Sequence, residues 1–154
     1  YPTRIAAFQQ RYGQQIGRKL ILDLDFSSNM AVYESDLLIT DWSNVGYEFA
    51  FATGKPILFI DTPPKITNPN YTAFSMEPLD ITLRTKVGRS LGLDELSKTA
   101  ETAAYLLGHS EQYRSDILRW RREILPQCGR SGELCGKYIL SRLIRAAQQG
   151  KREE

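Results

Sequence analysis

The most constraining feature of the sequence is a strand, a helix and a second strand within about 25 residues. Residues 36–40 form a short apolar run typical of a buried strand, residues 44–53 predict a helix, and residues 57–60 predict another buried strand. Gly54 suits the end of the helix, because glycine readily adopts the left-handed conformation found there. Strands joined through a single helix run parallel, with a right-handed crossover. The segment therefore predicts a parallel sheet.

The rest of the chain supplies further elements by the same patterns. Helical spacing covers residues 4–16 and ends at Gly17, and residues 62–65 and 68–71 have the composition of a long loop. The other predictions are a strand at 19–24, a polar turn at 27–29, a helical turn at 30–34, a return to the sheet at 79–83, and helices at 93–107, 110–125 and 131–149. We therefore predict an α/β fold, a Rossmann-like parallel sheet with flanking helices and a helical C-terminal cover.

Size and composition narrow the class of protein. The chain has 154 residues, of which 42% are hydrophobic and 25% charged, as expected of one globular domain. No run approaches the roughly 18 to 20 apolar residues that span a bilayer. Cys128, Cys135 and His109 match no metal-ligand spacing, which favours reduced structural thiols and a structural histidine. We expect no metal, no cofactor and no nucleic-acid partner.

Charge is distributed unevenly along the chain. From Arg114 onward there are ten Lys and Arg against five Asp and Glu, whereas the preceding residues are net acidic. In the last predicted helix, Lys137, Arg142 and Arg145 lie near the rim of an apolar side that includes Leu143. Such a helix fits an anionic membrane surface, but it also fits a solvated basic face or a helix that packs across the domain.

The candidate site follows the first strand of the parallel unit. Ligands of open parallel sheets bind beyond the carboxyl ends of the strands, which is where Asp41, Trp42, Ser43 and Asn44 lie. Backbone N–H groups at the start of the next helix lack partners and attract phosphate. Ser43 is either part of this site or simply the N-cap of the helix.

Glu48 adds a second indication of a site. It interrupts an otherwise apolar helix, where an unpaired buried carboxylate would be costly. Asn44 and Glu48 are four residues apart and share one face of the helix. A phosphate at Asn44 would leave Glu48 able to accept hydrogen bonds from ribose hydroxyls. The alternative is an exposed glutamate on the outer face.

The same stretch resembles a known family. The resemblance covers residues 20–60 and rests on the residues Ser35-Asp36-Leu37-Leu38-Ile39-Thr40-Asp41-Trp42-Ser43-Asn44-Val45 and Gly54-Lys55-Pro56-Ile57-Leu58-Phe59. These are similar to the C-terminal half of bacterial CDP-glycerol glycerophosphotransferases, the two-domain GT-B transferases of teichoic-acid synthesis. That family typically reads A-D-x-L-I-T-D-Y-S-S, so Trp42 replaces a tyrosine and Asn44 a serine.

The resemblance implies a function for the chain. Asp41, Ser43 and Asn44 would contact the diphosphate end of CDP-glycerol, with Thr40 shaping the turn, and glycerophosphate would pass to a cell-envelope acceptor. The chain begins at Tyr1, which indicates a fragment that lacks the N-terminal acceptor domain and is inactive alone. The expected location is the cytoplasm, peripheral to the inner face of the plasma membrane. The catalytic residues are not assigned.

Two other functions remain open. Glu48 is also similar to the ribose-binding glutamate of UDP-N-acetylglucosamine 2-epimerases, which favours a UDP-sugar glycosyltransferase or epimerase on the same fold. The other alternative is a non-catalytic nucleotide-binding module. Base preference separates the first two functions. The families that the chain resembles usually employ catalytic histidines of the N-terminal domain, so loss of such a histidine from the full-length sequence would favour the third.

Overall fold

The computed structural model describes residues 1–25, 30–64, 70–73 and 77–150, and the chain divides into two compact units, 1–34 and 35–154. The first unit contains helix α1 (Pro2–Tyr12) and helix α2 (Met30–Glu34). In α1, the rings of Phe8 and Tyr12 lie 4.8 Å apart, as their helical spacing predicts. The turn predicted at residues 27–29 and part of the predicted loop, residues 65–69, lie outside the described residues.

The strand predicted at residues 19–24 is wrong. Leu20 forms only an isolated bridge with Ile16, across a turn in which Gly17 has a φ of 81°. Ile21 is 87% exposed. A strand is stabilised when its neighbours pair with it and one face is covered, and no further strand is present among the described residues of this unit.

The second unit is built on a three-stranded parallel sheet. Its strands are β1 (Leu38–Thr40), β2 (Ile57–Asp61) and β3 (Gly88–Gly92), in the order β1-β2-β3. Helix α3 (Val45–Thr53) connects β1 to β2, and Gly54 ends it with a φ of 72°. The predicted strand–helix–strand unit and its parallel sheet are confirmed.

The other helices flank this sheet or follow it. They are α4 (Leu79–Thr82), α5 (Arg84–Val87), α6 (Thr99–Gly108), α7 (Ser110–Ile124) and α8 (Ser131–Gly150), with 3-10 helices at Tyr71–Ala73 and Leu93–Lys98. The protein is therefore a mixed α/β structure with an open parallel sheet. In the described part of the chain, no helix is both long and apolar enough to cross a membrane.

The central strand β2 is buried on both faces. On one face Leu58 packs with Leu91 of β3 and Leu106 of α6. On the other, Ile57 and Phe59 lie against the start of α3 at Gly46. Burial on both faces explains why β2 reads as a continuous apolar run rather than an alternating one.

The return to the sheet was predicted in the wrong place. Residues 79–83 form α4 and the turn after it, whereas the third strand is β3. Its sequence, Gly-Arg-Ser-Leu-Gly, has little intrinsic preference for a strand. A Cβ at Gly88 would lie 1.8 Å from the carbonyl oxygen of Ile57, so the close approach of β3 to β2 requires glycine.

The C-terminal helices differ from the predicted cover. Helices α7 and α8 match their predicted ranges closely, but the predicted helix at 93–107 is a 3-10 helix followed by α6. Helix α7 buries Ile117, and Arg121 donates a hydrogen bond to the Phe51 carbonyl at 2.9 Å. None of the α8 residues whose side chains are described is buried, so α8 does not cover the sheet.

Candidate functional site

The predicted site residues lie at the carboxyl end of β1. Strands β1 and β2 end at Thr40 and Asp61, and their parallel pairing brings these ends to the same edge of the sheet. Asp41, Trp42 and Ser43 form the short connection from Thr40 to helix α3. Ligands of parallel sheets bind at this edge. The structure therefore places these residues at the carboxyl edge of the sheet, as the sequence predicts, and it adds the contacts that shape this edge.

Helix α3 begins at Val45, one residue later than predicted. Asn44 is the N-cap, with φ −61° and ψ −23°, and no side-chain capping hydrogen bond forms there among the described residues. Ser43 contributes its backbone carbonyl, which accepts from the Gly46 N–H at 3.1 Å. The prediction that Ser43 caps the helix is wrong, because the N-cap lies one residue later, at Asn44.

Gly46 holds the start of α3 close to the sheet. A Cβ at this position would lie 3.3 Å from Phe59 Cε1 and 3.3 Å from Thr40 Cγ2. Thr40 is half-buried, and its methyl group is directed at Gly46. The predicted role of Thr40 in shaping the turn is therefore a packing role. The consequence is a fixed distance between the first turn of α3 and the ends of β1 and β2.

Arg84 is the residue that organises this edge, and the sequence reasoning did not find it. It is only 6% exposed. Its Nε and Nη2 donate to Asp61 Oδ1 at 3.0 and 2.7 Å, its Nη1 to the Asp41 carbonyl at 3.2 Å, and its Nη2 to the Ile60 carbonyl at 3.4 Å. One guanidinium thus joins the carboxyl ends of β1 and β2. No local pattern marks Arg84, which comes from α5, 43 residues after Asp41.

Trp42 is fixed by the same arginine. The Arg84 guanidinium carbon lies 3.8 Å from the centre of the Trp42 ring and 4.3 Å from that of Phe59. The indole Nε1 donates to the Thr62 carbonyl at 2.6 Å. A guanidinium between two aromatic faces is stabilised by cation–π attraction. Trp42 therefore ties the end of β1 to the segment that follows β2, and one face of its ring is occupied.

Tyr47 connects helix α3 with Phe59 of β2 and Asp80 of α4. Its hydroxyl donates to the Asp80 carbonyl, and its ring lies 5.8 Å from that of Phe59. Burial raises the pKa of Tyr47 above its usual value of 10.0, while the nearby positive charge of Arg84 opposes this shift. The phenol is therefore held in its neutral, donating form.

The structure corrects the burial argument for Glu48. Glu48 is exposed, one turn from the exposed Asn44, and its backbone N–H donates to the Asn44 carbonyl at 3.2 Å. The outward position arises because α3 turns Gly46, Phe49 and Ala50 toward the core instead. Glu48 thus needs no ligand to compensate for burial, although its carboxylate is open to one.

The accessible groups set the electrostatics of the edge. Three exposed carboxylates, those of Asp41, Glu48 and Asp61, lie at or near this edge of the sheet. The buried cation Arg84 is already paired with Asp61. An anion bound here would depend on the first N–H groups of α3. Among the described residues, no group of three or more His, Cys, Asp or Glu is arranged to hold a metal ion.

Other predicted residues lie apart from this cluster. The His109 ring stacks on Tyr105 at 4.0 Å, and its Nδ1 is 2.8 Å from the Tyr105 carbonyl oxygen, which fits the predicted structural role. Cys128 and Cys135 are free and exposed. A cavity of about 300 Å³ between α5, α6 and α7 is lined by none of the six predicted site residues.

The six predicted residues divide into two groups. Thr40, Trp42 and Ser43 are half-buried parts of the turn, whereas Asp41, Asn44 and Glu48 are exposed around the start of α3. The exposed group is available to a ligand, and the half-buried group holds it in position. Comparison of the chain with family models, curated proteins and solved structures gives no match.

Proposed function

We propose that this chain binds the diphosphate of a nucleotide-activated donor where β1 meets α3. The observation that carries the proposal is the start of α3, which lies at the carboxyl end of a parallel strand and has no side-chain cap among the described residues. The first N–H groups of a helix lack partners within the helix, although that of Gly46 here donates to the Ser43 carbonyl, and the helix dipole adds positive potential there. A diphosphate is held at such a site without Lys or Arg.

The donor that fits the resemblance is CDP-glycerol. The chain is then the donor-binding half of a GT-B glycerophosphotransferase, with its acceptor half in an N-terminal domain. An acceptor hydroxyl oxygen attacks the phosphorus that carries glycerol, the bond from that phosphorus to the nucleotide breaks, and CMP leaves. The start of α3 stabilises the negative charge that develops on CMP. A base in the N-terminal domain accepts the hydroxyl proton.

The side chains around the start of α3 have distinct roles in this proposal. Ser43 and Asn44 donate hydrogen bonds to the diphosphate, and Glu48 accepts hydrogen bonds from the ribose hydroxyls. Asp41 and Glu48 repel the diphosphate from their own side, which directs it toward the N–H groups of α3. Arg84 and Trp42 position the Asp41 backbone through the contacts that join β1 to β2. We propose that the activity is cytoplasmic and serves a cell-envelope acceptor.

A UDP-sugar glycosyltransferase or epimerase is the second candidate. The observation that favours it is the exposed carboxylate of Glu48, one turn beyond the start of the helix, in the position of the ribose-binding glutamate of UDP-N-acetylglucosamine 2-epimerases. Both candidates use the same diphosphate contacts. They differ in the base and in the group that is transferred.

The test is an NMR titration of this chain with CDP-glycerol and, separately, with UDP-N-acetylglucosamine. We expect CDP-glycerol to shift the backbone amides of residues 43–48. Ser43→Ala and Glu48→Ala each weaken binding, by about tenfold if each removes one charge-assisted hydrogen bond. Ser115→Ala and Glu101→Ala are the matched controls, because they change an exposed serine of α7 and an exposed acidic residue in the first turn of α6.

The possible outcomes separate the candidates. Shifts produced by the uridine ligand alone would replace the cytidine donor with a UDP-sugar. Tighter donor binding by Glu48→Ala would show that the carboxylate only repels the diphosphate, and would remove its ribose role. Absence of shifts with either ligand, in this chain and in the full-length protein, would overturn the proposal. Binding by a full-length protein that transfers nothing would favour a non-catalytic module.

A further inference from the structure

Helix α8 carries several large apolar side chains that are exposed. Five of them are 48–65% exposed, and they are Tyr138, Ile139, Leu140, Leu143 and Ile144. No α8 residue whose side chain is described is buried, and only Leu134 is half-buried. An exposed set of large apolar residues on one helix marks an interaction surface.

The side chains of α8 are sorted by type around the helix. With about 3.6 residues per turn, Ile139, Leu143 and Ala146 fall on one side, adjacent to Leu140 and Ala147. This set is the apolar side of α8. Lys137 and Arg142 lie at its two borders, and Arg145 lies on the opposite side. The helix therefore has an apolar side flanked by cations.

Within the described residues of the second unit, nothing covers the apolar side. A Cβ added at Gly132 or at Gly136 would meet nothing within 4 Å, although both glycines lie on this side. In the described part of the chain, Arg142 and Arg145 take part in no ion pair, whereas Lys137 pairs with Glu133. Both the apolar groups and most of the positive charge are thus open to a partner.

Charge distinguishes between the possible partners. Between residues 131 and 150 there are three cations and one anion, so a second copy of α8 would bring cations against cations. An anionic lipid surface accepts the apolar side chains between its headgroups and attracts Lys137 and Arg142 at the borders. The long stems of these two side chains let their charged ends reach the phosphates while the apolar side is immersed.

We propose that α8 lies in the plane of an anionic lipid bilayer, with Ile139, Leu140 and Leu143 in contact with the acyl chains and Lys137 and Arg142 at the phosphates. The contact is independent of the donor site, because α8 contributes no residue to that site. It would hold the sheet and its carboxyl edge near a membrane surface.

The test is sedimentation of the protein with vesicles of phosphatidylglycerol and phosphatidylcholine, against vesicles of phosphatidylcholine alone. We expect binding to the anionic vesicles that weakens at high salt. The double variant Lys137→Gln/Arg142→Gln binds about 25-fold more weakly, at roughly fivefold for each cation near the surface. Leu143→Ala binds roughly tenfold more weakly, because it removes apolar area from the contact.

Matched control variants test whether binding depends on the apolar side of α8 or only on the overall charge and hydrophobicity of the protein. Arg119→Gln/Arg122→Gln removes the same net charge from exposed positions of α7, and Leu93→Ala truncates an exposed leucine outside α8. Both should bind the anionic vesicles as the unmodified protein does. Thermal unfolding should be the same for all α8 variants, because the changed side chains are exposed.

Three results would overturn the proposal. The first is absence of binding to the anionic vesicles at low salt. The second is equal weakening by the α7 and the α8 charge variants, which would indicate non-specific attraction. The third is a dimer seen by light scattering that Leu143→Ala dissociates, which would assign the apolar side to a second copy of the chain.

Discussion

The same residue types have different effects in two regions of the protein. One region is the packed layers, formed by strands β1 to β3 with helices α3, α5, α6 and α7. The other is the exposed helix α8. Gly88 lies between two strands, whereas Gly136 faces open space. Arg84 is buried and fully engaged, whereas Arg142 is exposed. Tyr47 is half-buried with a bonded hydroxyl, whereas Tyr138 is 65% exposed. The contribution of a residue to stability therefore depends on the side chains around it more than on its type.

The largest difference in stability between the two regions is expected for two glycine-to-alanine substitutions, one in each region. Gly88→Ala puts a methyl group 1.8 Å from the Ile57 carbonyl oxygen, so β2 and β3 must separate, at a cost of more than about 4 kcal/mol. Gly136→Ala meets nothing and favours the helix by about 0.5 kcal/mol. Chemical denaturation measures both changes. Equal stability of the two variants would mean that β3 does not pair with β2 at this register.

The next largest difference in stability is expected for two arginine-to-lysine substitutions, one in each region. Arg84→Lys loses the two hydrogen bonds that Nε and Nη2 donate to Asp61 Oδ1, and it loses the stacking between Trp42 and Phe59. Because Asp61 is partly exposed, we expect a loss of about 2 kcal/mol, less than for a fully buried pair. Arg142→Lys keeps an exposed charge and should alter stability by less than about 0.5 kcal/mol. An Arg84→Lys protein as stable as the unmodified one would show that the guanidinium contacts add little to the fold.

The smallest difference in stability is expected for two tyrosine-to-phenylalanine substitutions, and it depends on pH. Because burial raises the pKa of Tyr47 above 10.0, the unfolded chain releases this proton before the folded protein does. The stabilisation is therefore complete below pH 10.0 and declines as the pH rises through the folded value. Tyr47→Phe should remove this part of the decline, and Tyr138→Phe is the control. The measurement is urea unfolding at several alkaline pH values, and identical pH profiles for the three proteins would contradict the prediction.

How much the sequence could predict depended on whether the signal was local. The β1–α3–β2 unit was predicted well because apolar runs, Gly54 and Pro56 mark its boundaries within a short segment. Strand β3 was missed because its selection depends on the space beside Ile57, not on strand propensity. The strand predicted at residues 19–24 has an apolar pattern but no strand to pair with in the described residues of its unit.

The candidate site was predicted in part for the same reason. Asp41 to Asn44 could be located because they follow a strand directly. The contribution of Arg84 could not be inferred, since its contacts with Asp41 and Asp61 join segments 43 and 23 residues apart. The exposure of Glu48 depends on which face α3 turns to the sheet, and the apolar residues on both sides of Glu48 left that choice open.

The order β1-β2-β3 also determines how the protein is assembled during synthesis. Each strand pairs with the strand before it in the chain, so the whole sheet can be hydrogen-bonded once Gly92 has left the ribosome. Pairing between consecutive strands closes a smaller loop than pairing between distant strands, which lowers its entropic cost. The face that carries Leu58 and Leu91 then stays uncovered until Leu106 arrives with α6. We therefore expect the nascent chain to expose this apolar face until α6 is made, and slow synthesis of residues 93–106 to prolong its exposure and favour aggregation.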